Sequence, residues 1–397
     1  MPTPAMDYSP KVFSKDLYEI MKSINPGIED LELYEFRYCL DNLYPDKGGW
    51  ESVQLDSEAE IEKRINMRDF YAGIQLKPKL NGQIVLDDTI AGLTNMLFVG
   101  LVTGEYSTAW VNAHFYFDVR GFYFLPRTAY FIPAVIAHLG GKPFKGFEQK
   151  QKLLERYQEI GYKDFRSANT EIDQLFIESV KKLVAFKGTP ILATIAGPTA
   201  AGKTEIVERL SVAFKQIGKN MTSIEMDNFL LDNDYRDDKG IKSLGKEAYH
   251  FDIFLQSINK IIHGETITIP QYDSSISSHD QEGRLKPGYA PLAVEPADII
   301  LLEGNFPFQI KEVTDLIAIK MVYLTDDPIR LRRKWRRDMD LRKKYNENYF
   351  RNRYFRTQFL RANDCYLAQL QVCDLVVHTT GAALWTTPEI GKILSAA

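Results

Sequence analysis

Cysteine is scarce in this sequence, and the three that occur, Cys39, Cys365 and Cys373, are scattered through 397 residues with no paired spacing. That scatter excludes a disulfide framework and a structural zinc site, and it predicts a reducing compartment. Long hydrophobic runs are also missing. The strongest run, 96–102, is far shorter than the roughly 20 residues needed to span hydrocarbon, and residues 1–15 contain no apolar core of signal-peptide length. The expectation is a soluble, cytoplasmic protein with no membrane partner, in which the sequon Asn220-Met221-Thr222 is an ordinary turn. Neither sign of charge dominates. The 49 Lys and Arg against 53 Asp and Glu leave a formal charge of −4, which offers no field for collecting nucleic acid, so any anion site must be local.

What is present suits more than one buried core, with 45% hydrophobic residues in a chain of this length. Residues 16–44 read as short helices broken at Pro26-Gly27, and 57–70 as a helix. The stretch 90–139 is crowded with aromatics: Trp110, Phe115, Tyr116, Phe117, Phe122, Tyr123, Phe124, Tyr130 and Phe131. A packed aromatic core is the ordinary reading and a ligand pocket the alternative. Segments 146–161 and 169–186 carry helical periodicity, the second ending at Lys187-Gly188-Thr189-Pro190, where Gly and Pro stop a helix. This divides the chain into an aromatic-rich N-terminal domain, 1–186, mixed or mainly helical, and a C-terminal domain, 187–397. The N-terminal part shows no nucleophile–base or metal-ligand spacing. Its histidines, His114 and His138, lie in apolar surroundings, so an auxiliary role is expected.

Beyond the boundary, apolar runs at Ile191–Ala196, 221–226, 299–302, 317–324 and 375–377 alternate with longer helical stretches such as 207–217 and 254–262. Uninterrupted apolar runs suit strands covered on both faces, which predicts an α/β domain with a parallel sheet sandwiched by helices. Between the first run and its helix stands Gly197-Pro198-Thr199-Ala200-Ala201-Gly202-Lys203-Thr204, a G-x-x-x-x-G-K-[ST] loop in the strand–loop–helix setting that the motif requires. Its backbone N–H groups cradle phosphates at a helix N-terminus. Lys203 is suited to the β and γ phosphates of ATP and the Thr204 hydroxyl to Mg²⁺.

In Ser223-Ile224-Glu225-Met226-Asp227-Asn228-Phe229, Asp227 falls at the carboxyl edge of the next strand, where it can take the proton of an attacking hydroxyl. A water-mediated Mg²⁺ contact or a helix cap is the alternative. Glu303, closing 299–302, suits the acid that organises the Mg²⁺ shell, whereas Asp298 starts that strand. Nine basic residues lie between Arg330 and Lys344, opposed by Asp338 and Asp340. They read as a lid over the phosphates, with Arg333 and Arg337 on one face, and otherwise as a solvated helix face. No stacking platform accompanies them, which argues against nucleic acid.

Together these motifs resemble the uridine kinase and phosphoribulokinase family, with pantothenate kinase as a neighbour, over about 191–380. The resemblance implies that Asp227 and Phe229 match the family's Asp-x-Phe with its catalytic base. It implies acceptor contacts from Asp252 of Phe251-Asp252, Tyr272 of Pro270-Gln271-Tyr272-Asp273, His279, and Arg330. It also implies that Glu303-Gly304 is the family's Glu-Gly. The lid pattern Arg-Leu-x-Arg-Arg-x-x-Arg-Asp is matched by the run Arg330 to Asp338, with Lys334 replacing one arginine and Arg342-Lys343-Lys344 replacing the usual Arg-Gly-Arg turn. Leu230 stands where nucleoside kinases of the family have a pocket tyrosine. The implied function is Mg·ATP-dependent phosphoryl transfer to a small-molecule hydroxyl, with a nucleoside such as uridine or cytidine favoured. A pantothenate or sugar-acid acceptor and a silent nucleotide-binding scaffold are the alternatives. A homo-oligomer is compatible with this reading.

Overall fold

The computed structural model describes residues 6–45, 48–67, 70, 77–78, 84–85, 88–119, 121–147, 169–241, 245–273, 275–338 and 361–396. The chain forms two compact units. One comprises Met1–Ala129, Lys150–Ala168 and Asp327–Ala362, and the other Tyr130–Gln149, Asn169–Asp326 and Asn363–Ala397.

Every residue of Ile191–Ala196 and Ile299–Gly304 is buried, as their unbroken apolar character requires of central strands. In the second unit they are the adjacent fifth and sixth strands of a seven-stranded sheet. Its spatial order is Lys145–Gly146, Ala383–Thr386, Leu375–His378, Ile319–Leu324, Ile191–Ala196, Ile299–Gly304, Met221–Glu225. The five strands from Leu375–His378 to Met221–Glu225 run parallel, and Ala383–Thr386 and Lys145–Gly146 add antiparallel pairings. The expected helix-covered parallel sheet is therefore present.

Helix Lys203–Gln216 contributes Ile206, Val207, Leu210 and Phe214 to the core of this unit. Helix Thr170–Lys187 contributes Ile172, Phe176, Val180, Leu183 and Val184, residues three to four apart and so on one face. The helix that precedes the expected boundary at 187 thus belongs to the sheet core. The expected helix 146–161 begins instead in the strand Lys145–Gly146, and 148–161 lie outside the described residues.

The first unit gathers helices Pro10–Ile24, Leu33–Asp41, Glu58–Ile65, Asp88–Thr103 and Thr108–His114 with the hairpin Phe115–Asp118/Tyr123–Pro126. Phe13, Leu17, Met21 and Ile24 line one face of the first helix. Phe98 is the centre of the aromatic cluster, with ring centroids 5.7–6.4 Å from Trp50, Phe117, Phe122 and Phe124. The aromatics here form a packed core, as the ordinary reading expects. His114 is hydrogen-bonded through Nδ1 to Trp110 O at 3.0 Å.

Helix Asp327–Arg336 also lies in this unit, and it corrects the solvated-face reading of the basic run. Arg330, Arg333 and Lys334 are buried. Arg330 Nη2 pairs with Asp327 at 2.7 Å, and Lys334 pairs with Asp338. Carboxylates at spacings of three and four along the helix let these cations enter a core. Arg342, Lys343 and Lys344 lie outside the described residues.

Candidate active site

The sheet order sets the site. Strand Ile299–Gly304 lies between Ile191–Ala196 and Met221–Glu225, with Glu303 in register with Ile195 on one side and Glu225 on the other. The phosphate loop, Asp227 and Asn305 therefore leave the sheet at the same carboxyl edge, where open α/β sheets bind ligands.

The loop Gly197–Thr204 is shaped by positive φ at Gly197 (155°), Ala200 (64°) and Gly202 (108°). A Cβ at Gly197 would lie 2.2 Å from Tyr323 O, so only glycine lets the loop pass this close to the neighbouring strand. Helix Lys203–Gln216 starts directly behind it. Within the loop Lys203 Nζ donates to Gly197 O at 2.9 Å and Pro198 O at 3.3 Å.

Thr204 Oγ1 donates to Glu303 Oε1 at 3.0 Å. Glu303 is 8% exposed, and its Oε2 is buried without a hydrogen-bond partner among the described residues. Burial pushes this carboxyl above the usual range; Lys203 opposes the shift, and Glu225 and Asp227 add to it. Lys203, Glu225, Asp227, Glu303, Gly304 and Asn305 line one pocket. Asp227 lies there on the short 3₁₀ turn Met226–Phe229. Gly304 is required by that turn, since a Cβ would meet Met226 Sδ at 2.3 Å. The structure thus brings together Lys203, Thr204, Asp227 and Glu303.

Glu225 and Asn305 are pocket residues that the sequence reading passed over. Glu225 is accessible, yet the protein around it raises its carboxyl, Asp227 adds to the rise and Lys203 counters it. Its one signal in the sequence is its place two residues before Asp227; the pairing of its strand end with Glu303 emerges only from the sheet.

On the other side of Asp227 a buried polar network forms. Tyr272 N donates to Asn228 Oδ1 at 3.3 Å, and Tyr272 OH accepts from Arg236 Nη2 at 2.7 Å. His279 Nδ1 lies 2.9 Å from Ser278 Oγ, and its N–H donates to Ser277 Oγ at 3.3 Å. His250 Nε2 lies 3.2 Å from the same Ser277 hydroxyl. Lys286 pairs with Asp232 at 2.7 Å. Tyr272 is thus bonded to the residue next to Asp227, and Ser277, which pairs with Tyr272 across a short antiparallel ladder, carries the contacts of His250 and His279. Asp252 is exposed in the first turn of helix Phe251–Ile262 and makes no hydrogen bond among the described residues. Arg330, Arg333 and Arg337 lie in the first unit, Arg337 with its Nε 3.5 Å from Asp338 Oδ1.

Comparison with known proteins names the arrangement. Residues 192–383 match the Phosphoribulokinase / Uridine kinase family. Uridine kinase from Leuconostoc citreum (strain KM20) is 28% identical over 159 residues, covering 38% of this chain and 70% of that protein. Uridine kinase from Streptococcus pneumoniae (strain Hungary19A-6) is 26% identical over 217 residues, covering 52% and 96%. The solved structure of D-glycerate 3-kinase from Cryptococcus neoformans var. grubii shares 11% identity over 53% of this chain and 97% of that one, with a TM-score of 0.37. The match to this P-loop kinase family supports phosphoryl transfer to a small-molecule hydroxyl, with the family's general use of ATP and Mg²⁺. No described helix is long and apolar enough to cross a membrane.

Proposed function

We propose that this protein is a small-molecule kinase that passes the γ-phosphoryl group of ATP to a hydroxyl of a neutral, nucleoside-like acceptor. The observation that carries this reading is the single pocket shared by Lys203, Asp227 and Glu303, with Thr204 bonded to Glu303 at 3.0 Å. In it the loop amides of 197–204 hold the phosphates, and Lys203 leaves its loop carbonyls to neutralise the β and γ oxygens. Asp227 accepts the proton of the acceptor hydroxyl as that oxygen bonds to the γ-phosphorus. The bond from phosphorus to the β–γ bridging oxygen breaks, and ADP departs with its electron pair.

Mg²⁺ fits the donors present. The Thr204 hydroxyl and Glu303 Oε2, which has no hydrogen-bond partner among the described residues, are hard oxygen ligands. No group of three or more His, Cys, Asp or Glu is arranged for a metal among the described residues, which suits an ion held by one or two protein ligands plus phosphates. When bound, the ion would neutralise charge on the transferring group.

The charge of the pocket favours a neutral acceptor. Glu225, Asp227 and Glu303 line the same pocket as Lys203, and that lysine is committed to phosphate, so the carboxylate of pantothenate or a sugar acid would meet like charge there. The uridine kinase names of the relatives agree with this direction. Tyr272, bonded to Asn228, and His279 are proposed to line the acceptor side. The N-terminal unit is proposed to be auxiliary to this chemistry.

The test is acceptor-dependent ADP release from Mg·ATP, screened over nucleosides, pantothenate, glycerate and pentoses. Uridine or cytidine should give the strongest signal. Release with acidic acceptors alone would overturn the acceptor assignment. The absence of acceptor-dependent release across all classes would favour a nucleotide-binding scaffold.

A further inference from the structure

One fully buried hydroxyl outside the pocket lining touches the backbone of the phosphate loop. Thr325 directly follows the strand Ile319–Leu324 and has no exposed surface. Its Oγ1 donates to the Ala201 carbonyl at 3.0 Å and lies 2.6 Å from Thr379 Oγ1. A hydroxyl has one proton to give. With the Thr325 proton on Ala201 O, the short contact makes Thr379 the donor to Thr325. Leu324 O, 3.2 Å from the Thr379 hydroxyl, already accepts the Thr379 N–H at 2.8 Å and does not need that proton. The shorter contact, 2.6 Å to Thr325 against 3.2 Å to Leu324 O, favours a chain that runs from Thr379 through Thr325 to Ala201.

This chain ends on the Ala201–Gly202 peptide of the loop. The Ala201–Gly202 peptide is preceded by Ala200 at φ 64° and followed across its C–N bond by Gly202 at φ 108°. Glycine accepts either sign of φ, so turning this peptide over costs little by itself. In a trans peptide the C=O and the following N–H point in opposite directions. Holding Ala201 O against Thr325 therefore aims the Gly202 N–H away from the strand end. Gly202 is the N-cap of helix Lys203–Gln216, where unpaired amides meet an anion. The other end of the loop presses on the same strand, with the Gly197 Cα so near Tyr323 O that no side chain fits. Tyr323 and Thr325 thus brace the two ends of the loop.

We propose, on the reading of this loop as the ATP phosphate site, that Thr325 is a positioning residue. It fixes the Ala201–Gly202 peptide in the orientation that presents its N–H to phosphate. Thr325→Val keeps the volume and removes the hydroxyl, whereas Thr325→Ser keeps the hydroxyl. In the full-length chain, ATP affinity is measured by calorimetry, alongside acceptor KM and melting temperature. Thr325→Val should bind ATP about tenfold more weakly, the worth of one buried hydrogen bond, with acceptor KM unchanged, while Thr325→Ser should stay near wild type. Thr379→Val, which removes the donor behind Thr325, should weaken ATP binding in the same direction by about threefold, and it serves if the first variant does not fold.

Unchanged ATP affinity in Thr325→Val, whatever its melting temperature, overturns the proposal, as does a serine variant as weak as the valine one. Intact ATP affinity in Thr379→Val, where Thr325→Val does not fold, overturns it as well. A wild-type chain that binds ATP but phosphorylates no hydroxyl refutes the transfer reading alone, because the ATP affinities still decide the role of Thr325. A wild-type chain that binds no ATP refutes both.

Discussion

Replacing Glu303 with Gln should separate folding from chemistry at this site, because the carboxylate is placed where it harms the ligand-free fold. Glu303 is 8% exposed, one oxygen accepts from Thr204, and the other is buried with no partner among the described residues. An unsatisfied buried polar atom costs about 1–3 kcal/mol and more when charged, so a neutral amide of the same shape should recover about 1 kcal/mol. For a unit of this size that raises the melting temperature by about 2–4 °C.

The pH dependence has a definite sign. Burial raises the Glu303 carboxyl above its ordinary value of 4.5. The folded state therefore holds the proton more tightly than the unfolded one. The stability linked to that proton is complete below 4.5 and is lost as pH rises through the folded value. The advantage of the Gln variant should consequently grow from mildly acidic to neutral buffer. Activity should move the other way. Without the carboxylate proposed to hold Mg²⁺, turnover should fall by about 10³, the several kcal/mol that metal neutralisation contributes. Scanning fluorimetry with EDTA and acceptor-dependent ADP release read the two effects. A Gln variant that melts lower and turns over at near the wild-type rate would refute the reasoning, since Glu303 would then be a structural residue.

Asp227→Asn should lower kcat by about 10²–10⁴ with ATP affinity nearly unchanged, because the amide keeps the shape but cannot take the proton. Weaker ATP binding with intact turnover would instead make Asp227 a metal-shell residue. His250 is held down to about 4 from 6.5 by burial and by His279. Its stability contribution is complete above 6.5 and is lost as pH falls toward about 4, up to about 3 kcal/mol. Thermal melts from neutral to acid should thus fall more steeply for wild type than for His250→Gln, and parallel curves would rule this out. A chain starting at 187 loses Ile172, Phe176, Val180, Leu183 and Val184 from the sheet core, each worth about 1.5–3 kcal/mol of burial. It should lose cooperative melting, and a sharply melting fragment would contradict the packing of that helix.

The parts of the candidate site that could be read from the sequence share one property: each proposed role is set by a few neighbouring residues. The phosphate loop requires only its glycines, Lys203, Thr204 and a flanking strand and helix, and Asp227 and Glu303 require only the end of an apolar run. Glu225 was passed over because its membership depends on sheet order. Nothing local shows that Ile299–Gly304 inserts between Ile191–Ala196 and Met221–Glu225 and so sets Glu225 beside Glu303. Thr325 is the same case, since its partners Ala201 and Thr379 are 124 and 54 residues away. Helix Thr170–Lys187 was detected by its period, but the period does not say which core receives the apolar face.

The solvated alternative for the basic run fails for a different reason. Density of charge in a sequence suggests solvation, yet Asp327 and Asp338 stand three before Arg330 and four after Lys334, at the spacings that let a helix neutralise its own cations. Those carboxylates were visible in the sequence. Weighed as partners rather than as opposing charges, they predict the burial that the structure shows for Arg330 and Lys334.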